Sequence, residues 1–133
     1  MSTEADIVNG SRILAIVGLS SNRERYSYLV ASYLKEHGFK IIPVNPAELM
    51  VLSEKAYPDL SSVPEKVDTV IIFRRSEEVP PIVKEAIKIG AKAVWMQEGI
   101  VNESAAAEAR QAGLQVVMDR CFRKEHIRLH GGF

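Results

Sequence analysis

Short apolar runs that alternate with helical patterns constrain the fold of this chain most. Five runs rich in valine and isoleucine have the length of strands: Ile13–Gly18, Phe39–Val44, Thr69–Phe73, Ala93–Met96 and Leu114–Met118. Each is apolar on both faces, as a parallel strand is when helices cover both sides of its sheet. Strands alternating with helices are joined by right-handed crossovers. The sequence therefore predicts an α/β fold, a Rossmann-like doubly wound parallel five-stranded sheet with helices on both faces.

Three amphipathic segments between these runs predict the connecting helices. Their expected first and last residues are Tyr26 and Gly38, Pro80–Pro81 and Gly90, and Asn102 and Gly113, the asparagine acting as an N-cap. Residues 46–66 are predicted to be irregular, with room for a short helix. Residues 1–10 are expected to form a helix or a flexible arm, and residues 119–133 a basic tail that packs on the sheet.

Length and charge limit the classes of protein that this chain can be. A length of 133 residues suits one domain, residues 1–133. Lys plus Arg and Asp plus Glu both total 17, and this zero net charge disfavours a nucleic-acid partner. No run approaches the roughly 18 apolar residues of a membrane span, which disfavours a membrane partner. A lone cysteine, Cys121, and a polar N-terminus predict a cytoplasmic protein, and leave a homodimer or an unidentified protein partner open.

Polar residues follow four of the predicted strands, where a parallel sheet binds its ligands. The four segments are Gly18–Arg25, Asn45–Pro46, Phe73–Arg75 and Gln97–Gly99. The first lies between a strand and a helix, and the unpaired N–H groups of a helix N-terminus attract anions. Ser20, Ser21 and Asn22 add short donors, and Arg23 and Arg25 add positive charge, so the loop is a candidate phosphate site. It is neither GxGxxG nor a Walker loop, so a plain connecting loop stays the alternative.

The end of the second predicted strand bears on the choice of nucleotide. Domains that bind NAD usually place an acidic residue here to hold the ribose hydroxyls. This chain has Asn45 between Pro43 and Pro46. The uncharged amide argues against NAD, and the two prolines fix the backbone where a ligand would lie.

Six stretches together resemble the small stand-alone CoA-binding proteins. They are VGLSS, SYLVASYLKEHGF, PVNP, VIIFRR, GAKAVWMQEGIVNE and AGLQVVMDRCFRKEH, in that order over nearly the whole chain. The fold of that family is shared with the N-terminal domain of the succinyl-CoA synthetase alpha subunit. The resemblance implies coenzyme A as the ligand, held across the strand ends.

The resemblance also implies which residues surround the coenzyme. Gly18, Leu19, Ser20, Ser21, Asn22, Arg23 and Arg25 would face the pyrophosphate and the 3′-phosphate. Val44, Asn45 and Pro46 would border the pantetheine or ribose, Phe73 and Arg74 would lie against the adenosine, and Gln97 and Glu98 would occupy the next strand end. Tyr28 either leans over the ligand or packs within the fold. Many relatives have a basic residue where this chain has Ala47, and a glycine where it has Ser53.

The expected function is binding of coenzyme A or acyl-CoA without catalysis, for sensing, storage or delivery. The chain has no Walker loop, nucleophile elbow or convincing acid–base pair, so no catalytic residue is predicted and an enzyme is not expected. The alternatives are an NAD(H)-binding module or redox sensor, and a regulatory subunit with a vestigial pocket.

The spacing of the cysteine and the histidines along the sequence does not by itself define a site. Cys121, five residues before His126, is either a reactive thiol able to form a mixed disulfide with the coenzyme or a small buried side chain. His37 has no second ligand near it in the sequence, so no metal site is predicted.

Overall fold

The computed structural model describes residues 2–131. Its helices are α1 (Thr3–Gly10), α2 (Tyr26–Glu36), α3 (Val79–Lys88), α4 (Glu103–Gln111) and α5 (Phe122–His130). Its strands are β1 (Ile13–Val17), β2 (Lys40–Val44), β3 (Met50–Val51), β4 (Glu54–Lys55), β5 (Thr69–Ile72), β6 (Ala93–Met96) and β7 (Gln115–Val117). Among these described residues the longest helix has 11 residues, and none has the length and apolarity that crossing a bilayer requires.

Five of the strands form one parallel sheet in the order β2-β1-β5-β6-β7. This confirms the predicted doubly wound α/β fold, and each predicted run coincides with one strand to within a residue or two. After β1 the chain forms β2 on one side of it, and β5 then pairs with β1 on the other side. The crevice between the ends of β1 and β5 is therefore the topological switch point, where sheets of this kind bind ligands.

Two apolar layers cover the sheet, one on each face. Helices α1, α2 and α5 pack on one face, around the fully buried Trp95 and Phe122, whose ring centroids are 4.7 Å apart. The Trp95 indole N–H donates to the carbonyl of Arg120 at 2.9 Å, so the one polar atom of the ring is satisfied. Helices α3 and α4 pack on the other face.

The predicted helix ends are confirmed. The Asn102 Oδ1 accepts a hydrogen bond from the Ala105 N–H at 3.0 Å and caps α4. Gly38, Gly90 and Gly113 each follow a helix. The first residues form α1 rather than an arm, since Ser2 caps it and α5 packs against it. The predicted tail is helix α5 as far as His130; its last two residues, 132 and 133, lie outside the described residues.

The prediction of irregular chain over residues 46–66 was wrong in part. Strands β3 and β4 form an antiparallel hairpin, and a 3₁₀ turn at Leu60–Ser62 follows it. The hairpin turn places Leu52 and Ser53 at φ values of 53° and 64°. Such left-handed pairs usually carry Asn-Gly, and the Leu-Ser sequence hides the turn from pattern reading.

Candidate functional site

Gly18 directly follows β1 at the switch point, where it contacts Phe73, the residue directly after β5. Its φ is +89°, and a Cβ placed there would lie 2.5 Å from the Phe73 carbonyl oxygen. The Gly18 N–H donates to the Val44 carbonyl at 2.9 Å, and the Phe73 N–H to the Val17 carbonyl at 2.8 Å. The backbones at the ends of β1, β2 and β5 are therefore held in direct contact, with no space for a side chain at Gly18.

A cavity of about 250 Å³ lies against this contact, at the N-terminus of α2. Gly18, Arg25, Tyr26, Ser27 and Phe73 line it. Within residues 2–131 the N–H groups of Tyr26 and Ser27 have no acceptor, and no side chain caps the helix. Unpaired N–H groups at the positive end of a helix form a site for an anion.

Three N–H groups earlier in the loop are already paired by side chains of the loop and of α2. The Ser20 N–H donates to the Ser27 hydroxyl at 3.1 Å, and the Asn22 N–H to the Ser20 hydroxyl at 3.0 Å. The Glu24 N–H donates to the Asn22 Oδ1 at 2.9 Å. The serine and asparagine side chains therefore shape the loop, and among residues 20–27 the N–H groups of Arg23, Tyr26 and Ser27 have no acceptor within the described residues.

Asn45 fastens the segment after β2 to this loop. Its Nδ2 donates to the Leu19 carbonyl at 3.1 Å, and its Oδ1 accepts from the Ala47 N–H at 3.0 Å. The turn that follows brings the Glu48 carboxylate to the Ser21 N–H, at 2.8 Å. Asn45 therefore holds the loop after β1 and the segment after β2 together, and both groups of its side-chain amide are hydrogen-bonded within the chain.

Two larger cavities continue from the small one along the carboxyl edge of the sheet. One, of about 470 Å³, lies beyond β5 and β6 and shares Tyr26 and Phe73 with the small cavity. The other, of about 600 Å³, lies between the ends of β1 and β2 and helix α3, and shares Arg74 with its neighbour. We call the three together the strand-end groove. Its apolar walls suit the flat or aliphatic parts of a ligand.

Two arginine guanidinium groups without an ion-pair partner among the described residues border the groove, whose largest cavity is also lined by the carboxylates of Asp59, Glu77, Glu78 and Glu85. Arg74 is half-buried between the two larger cavities, and Arg25 borders the small one. Among residues 2–131 neither guanidinium forms an ion pair or a hydrogen bond. Arg75, by contrast, pairs with Glu78. Unpaired guanidinium groups beside unpaired N–H groups favour a phosphate-bearing ligand.

Gln97 and Glu98 close the groove at the end of β6. Gln97 is 1% exposed, and its Oε1 accepts from the Phe122 N–H at 3.0 Å. Its Nε2 has no acceptor within the described residues, although buried donors are normally paired. Glu98 pairs with Lys124 at 3.1 Å. Gln97 thus positions the start of α5 and leaves one donor at the groove wall.

Tyr26 connects the groove to Cys121. Its hydroxyl lies 2.9 Å from the Cys121 Sγ. Burial, together with this hydrogen bond, raises the pKa of Tyr26 above its usual range, so the phenol stays neutral. Cys121 itself is 2% exposed and precedes α5. The thiol is therefore a small buried side chain behind the tyrosine.

The three histidines lie together at the opposite edge of the sheet. The His126 ring centroid is 5.4 Å from that of His37 and 4.5 Å from that of His130. Sequence spacing did not reveal this group, because α2 and α5 meet only in the folded chain. Within residues 2–131 no three His, Cys, Asp or Glu side chains are placed to hold a metal ion.

The groove brings together eight of the fifteen residues expected at the site. They are Gly18, Arg25, Val44, Pro46, Phe73, Arg74, Gln97 and Glu98. The other seven lie outside these cavities: Leu19, Ser20, Ser21, Asn22, Arg23, Tyr28 and Asn45. Leu19 is fully buried and Tyr28 packs against the same core, so neither side chain reaches the groove.

Sequence reasoning missed Tyr26, Ser27 and Glu48, and also the four carboxylate side chains of the largest cavity, those of Asp59, Glu77, Glu78 and Glu85. Tyr26 lines two of the cavities, two positions before the tyrosine that was expected there. Its place directly after Arg25, where the helix begins, was the available signal. Glu48 reaches the loop only because of the turn that Asn45 makes, which the sequence pattern does not specify.

Comparison with known proteins shows where this chain has relatives. It is 36% identical over 121 residues to an uncharacterized protein of Bacillus subtilis, YneT, covering 91% of this chain and 90% of that one. It is 31% identical to the ADP-forming acetate–CoA ligase II of Archaeoglobus fulgidus, over 89% of this chain and 17% of the ligase. The alpha subunit of the Pyrococcus furiosus ligase II is 29% identical, and 30% of that subunit is matched. The chain thus spans less than a third of either ligase chain.

Solved structures share the whole fold. A hypothetical protein from Pyrococcus horikoshii superposes with a TM-score of 0.93 at 37% identity, covering 97% of this chain and 92% of that one. A Thermus thermophilus protein superposes with a TM-score of 0.91 at 28% identity, covering 97% and 99%. The model of the CoA binding domain family matches residues 12–127. That span contains every strand of the sheet and all three cavities of the groove, so the chain belongs to the CoA binding domain family.

Proposed function

We propose that this protein binds coenzyme A or acyl-CoA across the strand-end groove, as a single-domain module without its own catalysis. The observation that carries the proposal is the set of unpaired donors at the switch point. The N–H groups of Tyr26 and Ser27 and the guanidinium groups of Arg25 and Arg74 lie beside apolar walls. A ligand with a diphosphate, a flat base and an aliphatic arm matches that combination.

The groove suggests how the coenzyme would lie. The diphosphate would accept from the start of α2, with Arg25 and Arg74 on either side. The Phe73 ring and Arg74 would border the adenosine, and Val44 and Pro46 the ribose or pantetheine. Asn45, whose amide is bonded inside the chain, would hold the loops in place rather than contact the ligand.

Binding without catalysis is supported by where the reactive side chains lie. All three histidines are at the far edge of the sheet, and the Cys121 thiol is buried behind Tyr26. The Ser76 hydroxyl at the groove accepts from the Val101 N–H. A role in sensing, storage or delivery of the coenzyme would need binding only. We place this role in the cytoplasm, where a lone cysteine such as Cys121 stays reduced.

Coenzyme A is favoured over NAD(H) by two features of the sheet. The classical dinucleotide-binding order places three strands on one side of the switch point, and here only β1 and β2 lie there. The residue after β2 is the uncharged Asn45, where a ribose-binding acid is expected.

Calorimetric titration with coenzyme A tests the proposal. Arg74→Ala and Arg25→Ala should each weaken binding about tenfold, because each removes a charged partner of the phosphates. Arg110→Ala is the matched control, since it removes the same charge from the exposed end of α4 and should leave the affinity unchanged. Equal affinity in all four proteins would contradict the proposed site.

The absence of catalysis has its own test. Acetyl-CoA incubated with an equimolar amount of the protein should stay intact at the rate seen in buffer, as measured by mass spectrometry. Loss of the acetyl group at a rate that depends on protein concentration would contradict a purely binding role.

A further inference from the structure

Gln97 carries a buried hydrogen-bond donor that has no acceptor within the described residues. Its side chain is 1% exposed, and the residue lines the cavity of about 470 Å³ beyond β5 and β6. The Gln97 Oε1 accepts from the Phe122 N–H at 3.0 Å, and this bond fixes which end of the amide is which, because a backbone N–H only donates. The Nε2 is left without a partner among residues 2–131. Because buried donors are normally paired, we expect an acceptor from outside the chain here.

The charges around this cavity favour an uncharged acceptor. Four charged side chains line it, two of each sign: Arg74, Arg75, Glu77 and Glu98. Glu98 is paired with Lys124 at 3.1 Å and Arg75 with Glu78 at 3.5 Å, so the lining as a whole carries no surplus of either sign. An anion bound to the neutral Gln97 amide would lose hydration without an opposite charge to replace it. A carbonyl oxygen accepts the same hydrogen bond without that cost.

Tyr26 connects this donor to the anion site at the start of α2. Its N–H is one of the donors there that residues 2–131 leave unpaired, and the residue lines both the small cavity and the one beyond β5 and β6. Its hydroxyl lies 2.9 Å from the Sγ of Cys121, the residue before Phe122. The Gln97 amide is therefore about one tyrosine side chain away from the anion site. A ligand that occupies both places has an uncharged carbonyl only a few bonds from its diphosphate.

The pantetheine arm of coenzyme A has a carbonyl in that position. Its first amide carbonyl follows the diphosphate after a short branched aliphatic segment. Such a segment suits a wall made of Ile100 and of the Tyr26 and Phe73 rings, whose centroids are 6.4 Å apart. ADP ends at its diphosphate, and NAD(H) continues from it into a second ribose. Neither nucleotide has an amide carbonyl so close to the diphosphate.

The largest cavity of the groove suits the other end of the coenzyme. Its carboxylates are those of Asp59, Glu77, Glu78 and Glu85. Carboxylates accept hydrogen bonds from ribose hydroxyls and from the amino group of adenine. Amide carbonyls of the arm would meet only other acceptors on these side chains. Arg74 lines both larger cavities, so it would lie between the adenosine on one side and the arm on the other.

We infer that the cavity beyond β5 and β6 takes the pantetheine arm, and that Gln97 is a specificity-determining residue whose Nε2 donates to the first amide carbonyl of the arm. This inference rests on the proposed function and specifies how that site distinguishes coenzyme A from nucleotides that lack the arm. It also sets the direction of the ligand, with the ribose rather than the arm at Val44 and Pro46.

The first test uses the wild-type protein, labelled with ¹⁵N and titrated with coenzyme A or with 3′-phospho-ADP, which is coenzyme A without its arm. The side-chain amide protons of Gln97, identified by their loss in Gln97→Met, should shift downfield with coenzyme A, because they gain an acceptor. They should shift much less with 3′-phospho-ADP. Gln111 and Gln115 are exposed, and their side-chain amides are the internal controls.

The second test compares the affinities of the two ligands. The wild-type protein should bind coenzyme A at least about tenfold more tightly than 3′-phospho-ADP, and Gln97→Met should lower this preference about fivefold, the effect of one lost hydrogen bond. Gln97→Glu keeps an acceptor for the Phe122 N–H and removes the donor; its charge acts on both ligands, so the ratio of Kd values is the readout. Gln115→Met, at an exposed position, is the control, and thermal melting checks each fold.

Three results would refute the inference and leave the proposed function standing. One is saturable binding of coenzyme A that leaves the Gln97 side-chain signals unchanged, and another is an equal shift of these signals with 3′-phospho-ADP. The third is a ratio of Kd values that both Gln97 variants leave at the wild-type value or that Gln115→Met lowers equally. Failure of both ligands to bind the folded wild-type protein removes the proposed function and the inference together.

Discussion

Gly18 is the residue on which the geometry of the groove depends most. Alanine there would adopt a left-handed φ and bring its Cβ to 2.5 Å from the Phe73 carbonyl oxygen, so the ends of β1 and β5 would have to separate. We expect Gly18→Ala to lower the free energy of unfolding by about 2 kcal/mol or more. Chemical denaturation measures this.

Gly10 provides the comparison for that experiment. It lies at the end of α1 without a positive φ, and a Cβ there would meet nothing within 4 Å. Gly10→Ala should be neutral or slightly stabilising, because alanine favours the helix. Equal losses from the two substitutions would contradict the close approach of β1 and β5.

Ser53 is strained in a way that glycine would relieve. Its φ of 64° lies in the left-handed region, which costs an L-residue roughly 1 kcal/mol. We therefore expect Ser53→Gly to stabilise the protein by about 0.5 kcal/mol, the remainder being lost to unfolded-chain entropy. Leu52→Gly, at the neighbouring left-handed position, should destabilise instead, because Leu52 packs against the core. Two changes of the same sign in thermal melting would refute this assignment of strain.

Some residue positions at the groove could be predicted from the sequence, and others could not. The positions of Gly18, Phe73 and Arg74 were predictable, because Gly18 and Phe73 end predicted apolar runs and Arg74 follows one, and the sheet topology places these ends at the switch point. Tyr26 and Glu48 were not, since their positions depend on the angle of α2 and on the Asn45 turn. Tyr28 was expected over the ligand as one of two alternatives, and the packing alternative is the one the structure shows.

Helices α1, α2 and α5 meet at the histidine group, and their association should depend on pH. The Tyr33 hydroxyl lies 2.8 Å from the His126 Nδ1, and the His130 Nε2 lies 3.0 Å from the Asn9 Oδ1. Burial, followed by the nearby His130 and His37, lowers the pKa of His126 below 6.5. The unfolded chain therefore takes up this proton first as the pH falls.

The resulting loss of stability has a defined direction and range. The contribution of His126 is fully present above pH 6.5 and is lost as the pH falls from 6.5 to the lowered pKa of the folded protein. Denaturation midpoints measured between pH 7.5 and about 5 should fall accordingly. His126→Gln keeps a hydrogen-bond partner for Tyr33 and should flatten the slope; an unchanged slope in that variant would assign the effect elsewhere.

At the scale of elements, the sequence pattern predicts the strands of the parallel sheet and the helices between them, but not the β3–β4 hairpin. Continuous apolar runs and glycines after helices identify the five sheet strands and α2, α3 and α4, because burial on both faces and helix ends follow local rules. Strands β3 and β4 have two residues each, too few for any periodicity. Their turn lacks the usual Asn-Gly, so only the fold itself defines them.

At the scale of the whole molecule, the two edges of the sheet have different roles. The carboxyl edge carries the strand-end groove, with unpaired donors at the start of α2. The amino edge is closed by hydrogen bonds such as those from the Arg12 and Ile13 N–H groups to the Asp68 carboxylate, both 2.9 Å. The parallel topology produces this division, since all strand ends of one kind lie on one side.

The measurement that tests the central claim most directly is a titration of the ¹⁵N-labelled protein with coenzyme A, followed by amide chemical shifts. The protein should show saturable shifts at Tyr26, Ser27 and Arg74 and in the segment Gln97–Ile100, while His37, at the other edge of the sheet, stays unchanged. Shifts confined to the histidine group, or no shifts at millimolar coenzyme, would contradict binding in the strand-end groove.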